Sequence, residues 1–226
     1  MPLSIEYASE SDMERLMEVQ FAAMAQEPYH HVLFPGPNTS LARAQAGART
    51  LADWKNDPSE KVLKVIDTET SEIVSFGKWN VYTHERPRSE WDQHMDVNWT
   101  DDPVLKSGAE TYLEKIHGMR HKYASGQPHL LLNIMITDPP HQRRGAASMI
   151  VKWGCEKADE LGLPAYLEAT AAGLPIYLKE GFEKLDEVII DCDAWPGGLG
   201  PGGTGKHRYA MLYRPARRTS HIPDDA

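Results

Sequence analysis

Residues 130–148, which read LLLNIMITDPPHQRRGAAS, decide the fold. Residues 130–137 form a nearly unbroken apolar run, which is long enough for a buried strand and too short for a free-standing helix. Pro139 and Pro140 end this strand, because proline cannot donate to a sheet ladder. After the turn, apolar residues recur with the period of a helix as far as Gly162. The stretch therefore predicts a central strand, a tight turn and a helix.

The turn and the start of this helix are predicted to bind a phosphate group. The first-turn N–H groups of a helix lack internal partners, and the helix dipole favours an anion beside them. Small residues leave that backbone accessible, and two arginines add positive charge. The predicted phosphate loop consists of Gln142, Arg143, Arg144, Gly145, Ala146, Ala147 and Ser148.

The pattern Q-x-x-G-x-A at residues 142–147 resembles the pyrophosphate loop of the GNAT superfamily of N-acetyltransferases. A second predicted strand at 165–170 and a Y-x-x-x-G-F pattern at 177–182 follow it, as in the second half of a GNAT domain. These segments are similar to a subgroup common in filamentous fungi. The resemblance implies a mixed α/β GNAT fold for acyl-CoA N-acyltransfer, with acetyl-CoA as co-substrate and no metal.

The resemblance also implies a mechanism in which an amine attacks the acetyl group directly in a ternary complex. If the two central strands splay apart, the backbone of Met135, Ile136 and Thr137 pairs with the pantetheine amides as an added strand would. A backbone N–H near residues 134–136 then stabilises the oxyanion. Tyr177 is the group that protonates the leaving CoA thiolate, and the alternative is that Tyr177 is a core residue.

Glu168 is the candidate general base. An ammonium group must lose a proton before it can attack, since its pKa is roughly 10. Glu168 lies inside an apolar strand, similar to the strand glutamate of GNAT enzymes that act on ribosomal-protein N-termini. Strand alternation leaves open the alternative that Glu168 points to solvent.

The acceptor is predicted to be a primary amine of a small molecule, because the chain shows no evident peptide-docking module. Protein N-termini or lysines, and a non-catalytic acyl-CoA-binding role, remain alternatives. Tyr29, Phe34 and Trp79 are candidates for the wall of an acceptor site, although core packing is the preferred interpretation for each. His30 and His31 are interpreted as loop residues beside that site, since no third metal ligand accompanies them at a sensible spacing.

Composition limits the class of protein. The 226 residues, 41% hydrophobic and 25% charged, fit one globular domain at residues 1–214 with a flexible tail at 215–226. The formal net charge of -9 argues against nucleic acid as a partner. No leader sequence or membrane span is recognisable, and two cysteines make no disulfide framework, so a reduced cytoplasmic protein without membrane partners is expected. The oligomeric state stays open.

The segments before the central strand predict a β-α-α-β-β order. The predicted strands are 3–7, 61–67 and 73–82. The first predicted helix follows a capping box at Ser11 and Glu14 and runs to about residue 24, and the second spans 40–54 after a cap at Asn38 or Thr39. Residues 28–37 between them are a predicted loop. Residues 84–128, with a helical pattern at 104–123, are a predicted insertion. This insertion is either a lid over the active site or a surface decoration.

The glycine-rich segment at 195–206 contains a false phosphate motif. Gly200 to Lys206 matches the P-loop pattern except at its last position, and residues 198–203 match a dinucleotide fingerprint. Both motifs require a helix afterwards, whereas 208–213 reads as a strand and His207 replaces the magnesium-binding hydroxyl residue. Because 183–191 also reads as a strand, a hairpin connection is preferred.

Overall fold

The computed structural model describes residues 2–92, 96–199 and 203–217. The strands are β1 (Leu3–Tyr7), β2 (Glu60–Asp67), β3 (Glu72–Tyr82), β4 (His129–Thr137), β5 (Ala165–Ala169), β6 (Glu183–Asp191) and β7 (Lys206–Arg214). The helices are α1 (Met13–Ala23), α2 (Pro28–Leu33), α3 (Ser40–Asn56), α4 (Arg88–Trp91), α5 (Pro103–Tyr123), α6 (Ala146–Leu161) and α7 (Leu174–Lys179). Short 3-10 turns occupy Glu10–Asp12, Pro139–His141 and Cys192–Ala194.

The seven strands form one mixed sheet in the order β1-β2-β3-β4-β5-β7-β6. Among the described strands, β4 and β5 are the only parallel neighbours, and the other pairs are antiparallel. A parallel pair needs a crossover connection, and α6 provides it. The predicted mixed α/β architecture is confirmed.

The central strand, turn and helix form as their residues predict. Gly145 has φ +92° before the first turn of α6, and Gly162 has φ +63° after its last turn. Glycine reaches this left-handed region without the clash that a Cβ causes. The backbone N–H of Gly162 donates to Ala158 and Asp159, which satisfies carbonyl groups that the helix end leaves free. Both ends of α6 are therefore encoded locally.

Side-chain alternation along the strands divides the core between the two faces of the sheet. Helices α6 and α7 pack on one face, against residues that include Leu63, Trp79, Leu130 and Leu167. Helices α1 and α3 pack on the other face of β2, β3 and β4. Helices α2 and α5 cover that same face over β4 to β7, against residues that include Leu131, Tyr166 and Met211.

The predicted insertion contains the helix expected at 104–123, extended by one residue at its start. Asp102 caps α5 by accepting hydrogen bonds from the N–H groups of Val104 and Leu105. Ile116 and Met119 are 3% and 6% exposed, because α5 packs directly on the sheet. Helix α5 is thus a layer of the core, and a lid function of the remaining insertion stays a prediction.

Two local predictions near the amino terminus are wrong. The predicted loop at 28–37 contains α2, whose first residue is Pro28; proline suits the first helical position because its missing N–H has no partner there anyway. The burial of His30 and Val32 stabilises this short helix. The capping box uses Ser9 and Asp12, where the N–H of Ser9 donates to the Asp12 carboxylate at 2.7 Å. Thr39 caps α3 as predicted.

The glycine-rich connection is a hairpin, as preferred. Lys206 lies in β7 and pairs with Asp191 of β6 in antiparallel register, so a strand follows where a P-loop needs a helix. Gly200, Pro201 and Gly202 lie outside the described residues, as does 218–226 of the predicted tail. Within the described ranges, no helix combines the length and the apolar character needed to cross a bilayer.

Gly154 decides how closely α6 approaches the sheet, and this contact is testable. A Cβ at position 154 would overlap the indole ring of Trp79, which is fully buried and donates to the Ile150 carbonyl at 3.2 Å. We expect Gly154→Ala to lower the free energy of unfolding by about 2 kcal/mol through overpacking. Urea denaturation measures this change.

Gly118→Ala is the matched control, because a Cβ there meets no atom within 4 Å. Gly118 lies in α5 and is exposed, so alanine should stabilise the protein by up to about 1 kcal/mol. Equal stability of the Gly154→Ala variant and the wild type would contradict the close packing of α6 on Trp79.

Candidate active site

Strands β4 and β5 separate after a short stretch of pairing. Leu130, Leu131 and Leu132 pair with Ala165, Tyr166 and Leu167, whereas β4 continues to Thr137 without a partner in β5. We call this opening the splay. Among the described strands, none pairs with one backbone edge of Met135, Ile136 and Thr137, while their other edge pairs with β3.

A bulge in β4 stands at the start of the splay. Lys78 pairs with Ile134 and Trp79 pairs with Leu132, so Asn133 is the extra residue of β4. The bulge therefore lies one residue before the predicted range of 134–136. The side chain of Asn133 is half-buried and donates a hydrogen bond to Asn80, so this amide has a partner.

The predicted phosphate loop presents free backbone donors. None of the six N–H groups from Arg143 to Ser148 donates to another described residue. Arg143 has φ +65°, Gly145 has φ +92°, and no atom lies within 4 Å of a Cβ built on Gly145. This concave row of donors at the start of a 16-residue helix suits an anion.

The side chains of the loop contribute unequally. Arg144 is held by Asp67 at 2.6 Å and by His141 at 2.7 Å, so its guanidinium is already engaged. Arg143 and Gln142 are exposed, and the Gln142 amide donates to the Thr137 carbonyl at 3.4 Å. The loop therefore offers an anion its backbone and the free charge of Arg143 more than the side chain of Arg144.

Tyr177 lies on α7 with its ring in the core. The residue is 6% exposed, and its ring contacts Phe182 edge to face at 6.0 Å. Burial raises the pKa of Tyr177 above its ordinary value of 10, so the hydroxyl stays protonated at neutral pH. No described residue forms a hydrogen bond with this hydroxyl. Tyr177 is thus a packed side chain that keeps a free proton to donate.

A cavity of about 450 Å³ opens on the sheet face that α1, α2, α3 and α5 cover. The cavity reaches the splay, because its lining includes Asn133 and Ile134 of β4, Glu168 of β5 and Thr170, the residue that follows β5. Apolar side chains form the larger part of its walls, and many of them are aromatic or contain sulfur: Met13, Met17, Met24, Tyr29, Phe34, Trp54, Phe76, Trp99, Tyr112 and Tyr209. Such a lining is typical of small-molecule sites.

The predicted wall residues divide between the two faces of the sheet. Tyr29 and Phe34 line the cavity, and Tyr29 stacks on Tyr112 with ring centroids 5.4 Å apart. Trp79 packs instead under α6 on the opposite face, which confirms the preferred interpretation of this residue as part of the core. His30 lines the cavity, whereas His31 does not and bonds to the Ala25 carbonyl.

Glu168 points into the cavity and forms an ion pair with a residue of the insertion. Arg120 of α5 donates from Nε and Nη2 to the two carboxylate oxygens, each at 2.8 Å. The Glu168 and Arg120 side chains are 8% and 24% exposed. This bidentate pair fixes Glu168 beside the splay, and it raises the pKa of Arg120 against the opposing effect of burial.

A cluster of possible metal ligands at the start of β3 and just after the end of β4 forms an ion-pair network. Ligand atoms of Glu72, Asp138 and His141 lie within 4.8 Å of one another. Arg15 donates to Glu72 at 2.7 Å and to Asp138 at 2.5 Å, so a guanidinium already supplies the positive charge. The cluster joins α1 to β3 and to the turn after β4.

Sequence patterns did not indicate several residues of the cavity. The insertion contributes Arg120, Tyr112 and His117 to the lining. The strands contribute Glu60 from β2, Lys78 from β3 and Tyr209 from β7. Each has an ordinary place in its own helix or strand, and no spacing connects them. One available signal was the set of charged residues inside strand-like segments, since Lys78 and Glu168 interrupt apolar patterns, whereas Glu60 precedes the predicted strand at 61–67.

Comparison with known proteins identifies the class. The probable acyltransferase SID5 of Ajellomyces capsulatus is 34% identical over 100 residues, which make up 44% of this chain and 67% of that relative. No protein-family model matches the chain. The relative and the fold together define an acyltransferase. The chain belongs to the GNAT superfamily of N-acetyltransferases.

Solved structures share the fold over nearly the whole chain. Arylalkylamine N-acetyltransferase 2 of Aedes aegypti superposes with a TM-score of 0.64 at 14% identity, covering 95% of this chain and 99% of its own. The putative acetyltransferase yncA of Salmonella typhimurium, whose structure includes its cofactor acetyl-CoA, gives a TM-score of 0.50 at 12% identity, with 100% and 99% covered. At these identities the superpositions establish a common fold.

The pair of Arg120 and Glu168 makes a prediction about stability. We expect Arg120→Gln to lower the free energy of unfolding by about 2 kcal/mol, because it leaves the Glu168 carboxylate buried without a counter-charge. The double variant Arg120→Gln with Glu168→Gln should recover most of this loss. Arg88→Gln, which removes a surface pair with Asp92, should cost less than about 0.5 kcal/mol. A double variant no more stable than Arg120→Gln would contradict the coupling.

The buried His30 makes a prediction about pH. Burial, with a contribution from His31, lowers the pKa of His30 to about 4 from 6.5. The unfolded chain therefore binds the proton more readily, and the stability contributed by neutral His30 is lost as pH falls from about 6.5 towards 4. We expect the loss from this residue to reach about 2 kcal/mol at pH 5. His30→Gln should flatten this part of the stability profile, measured by urea denaturation.

His84→Gln is the control for this measurement, because His84 is exposed. The two variants should differ in their slopes between pH 6.5 and 4.5. Parallel profiles would contradict the buried, neutral state of His30.

Proposed function

We propose that the protein transfers the acetyl group of acetyl-CoA to the primary amine of a small molecule, by direct attack in a ternary complex. The observation that carries the proposal is the splay, which joins the phosphate loop to the apolar cavity through the free edge of β4. A co-substrate with a pyrophosphate, an extended amide-containing arm and a reactive thioester matches this path in that order. Acetyl-CoA supplies the activated acetyl group.

The phosphate loop and the edge of β4 are proposed to bind the co-substrate. The unpaired N–H groups of Arg143, Gly145 and Ala147, with their neighbours, would hold the pyrophosphate at the start of α6. The backbone of Met135 and Thr137 would pair with the arm. The Salmonella structure, which includes acetyl-CoA, supports this choice of co-substrate because it shares the fold over the full chain.

The size and position of the cavity support a small acceptor. Four helices cover it, and its volume of about 450 Å³ fits an amine of modest size. A protein N-terminus or lysine would instead need an open groove that accepts extended backbone. The arylalkylamine acetyltransferase with the same fold is named for small-molecule amines.

Three groups are proposed to act on the reacting atoms. Glu168 accepts the proton of the incoming ammonium, since a carboxylate that binds Arg120 through two hydrogen bonds retains further lone pairs. A backbone N–H beside the bulge at Asn133 donates to the oxyanion. Tyr177 gives its proton to the leaving thiolate and later regains one from solvent.

The first test measures release of the CoA thiol from acetyl-CoA over a panel of polyamines, arylalkylamines, amino acids, amino sugars and short peptides. We expect turnover with one class of free amine. Turnover confined to peptides would shift the acceptor to proteins. Tight binding of acetyl-CoA by calorimetry, without turnover of any acceptor, would favour a non-catalytic acyl-CoA-binding protein instead.

Tyr177→Phe tests the general acid. We expect kcat to fall at least about 100-fold, because positioned proton transfer contributes that much or more, while the Kd for acetyl-CoA stays within about threefold. Tyr213→Phe is the matched control, since Tyr213 of β7 is a partly buried tyrosine that packs on the opposite face of the sheet from Tyr177, and it should keep wild-type kcat. A wild-type kcat in Tyr177→Phe would overturn the role of Tyr177.

A further inference from the structure

The end of the cavity away from β5 is acidic. Glu60, the first residue of β2, has a side chain only 5% exposed and forms an ion pair with Lys78 at 3.0 Å through Oε2. Its other oxygen, Oε1, is buried and has no hydrogen-bond partner among the described residues. Asp53 of α3 lines the same end, and no described residue pairs with its carboxylate. Two carboxylates therefore face one ammonium group.

A buried carboxylate oxygen without a partner is costly unless a ligand satisfies it. Burial raises the pKa of Glu60, Lys78 opposes that shift, and the nearby carboxylates of Asp57 and Asp53 add to it. Asp57 is already satisfied, since it accepts hydrogen bonds from Ser59 and Asn80. The free acceptor at this end of the cavity is thus Glu60 Oε1, supported by Asp53.

Arg49, another cationic residue that lines the cavity, forms no ion pair with Asp53 among the described residues. Arg49 lines the cavity one helical turn before Asp53, but its guanidinium lies over the rings of Phe34 and Trp99, at 5.6 and 6.0 Å from their centroids. Among the described residues, the carboxylate of Asp53 therefore has no ion-pair partner at the end of the cavity where Glu60 lies.

Sheet geometry gives the distance from this charge to the splay. Lys78 pairs with Val62 of β2 and with Ile134 of β4, so all three lie in one row across the sheet. Glu60 stands on β2, two strands from β4, and neighbouring strands lie about 4.8 Å apart. The acidic end is therefore roughly 10 Å from the splay. Apolar side chains, among them Phe76 and Ile134, line the space between.

We propose that Glu60 and Asp53 form a second cation subsite, so that the acceptor is an amine with a second ammonium or guanidinium group across an aliphatic spacer. This rests on the proposed function. One amine reacts at the splay beside Glu168, the apolar lining contacts the spacer, and the second cation donates to Glu60 Oε1. A spacer of roughly 10 Å sets the preferred length.

The experiment compares linear α,ω-diamines of increasing length with monoamines of the same lengths. We expect kcat/KM for the best diamine to exceed that of its matched monoamine by at least about tenfold, a difference of about 1.4 kcal/mol. The preference should peak at one length. Glu60→Gln should lower the ratio of diamine to monoamine by about tenfold, and Asp53→Asn should lower it by a smaller factor.

Two controls keep the result interpretable. Glu114→Gln, an exposed change on α5, should leave the ratio unchanged. Asp53 is exposed, so Asp53→Asn tests the subsite even if Glu60→Gln fails to fold. Equal loss of both acceptors in a folded Glu60→Gln variant, or an unchanged ratio in both variants, would overturn the subsite.

Calorimetry separates the subsite from the proposed function. With the protein saturated by CoA, diamine binding should be at least about tenfold tighter than monoamine binding, and Asp53→Asn should reduce that difference. If no amine is acetylated but this difference appears, the subsite stands and the catalytic proposal fails. Equal binding of diamine and monoamine by the wild type would overturn the subsite.

Discussion

The parallel pairing of β4 with β5 is the constraint on which the rest of the molecule depends. Three residue pairs, from Leu130 with Ala165 to Leu132 with Leu167, hold the two halves of the sheet together. The bulge at Asn133 then changes the course of β4, and the next residues keep their pairing with β3 alone. A longer ladder would close the splay, and a shorter one would separate the halves of the core. The site exists because the pairing stops where it does.

Packing on both faces keeps this opening in place. On one face, Trp79 lies against Gly154 and donates to the Ile150 carbonyl, which fixes α6 and therefore the predicted phosphate loop relative to β3. On the other face, Arg120 of α5 holds Glu168 of β5 with two hydrogen bonds. The contact between Trp79 and α6 requires that Gly154 has no side chain, whereas the contact between Arg120 and Glu168 is an ion pair. Both fix groups that come from distant parts of the chain.

The insertion between β3 and β4 forms part of the protein core as well as part of its surface. Helix α5 covers the half of the sheet that α1 and α3 leave bare, and it contributes Tyr112, His117 and Arg120 to the cavity. The shape of the cavity is therefore coupled to the packing of the insertion. The charges follow the same division, with Arg120 and Glu168 at one end of the cavity and Glu60 with Lys78 at the other.

The sequence by itself determined the parts of the protein that local rules control. Proline after an apolar strand, glycine at both ends of α6 and the nearly unbroken apolar run of β4 each act within a few residues, so the strand, the turn, the helix and the superfamily could be predicted. The helix at Pro28–Leu33 was missed because burial stabilises it more than its sequence pattern suggests. Only the tertiary structure decided which side of the sheet Trp79 and Glu168 face, and that Glu60, Arg120 and Tyr209 share one cavity. Those relations depend on strand register and on packing between segments far apart in the chain, and no spacing in the sequence encodes them.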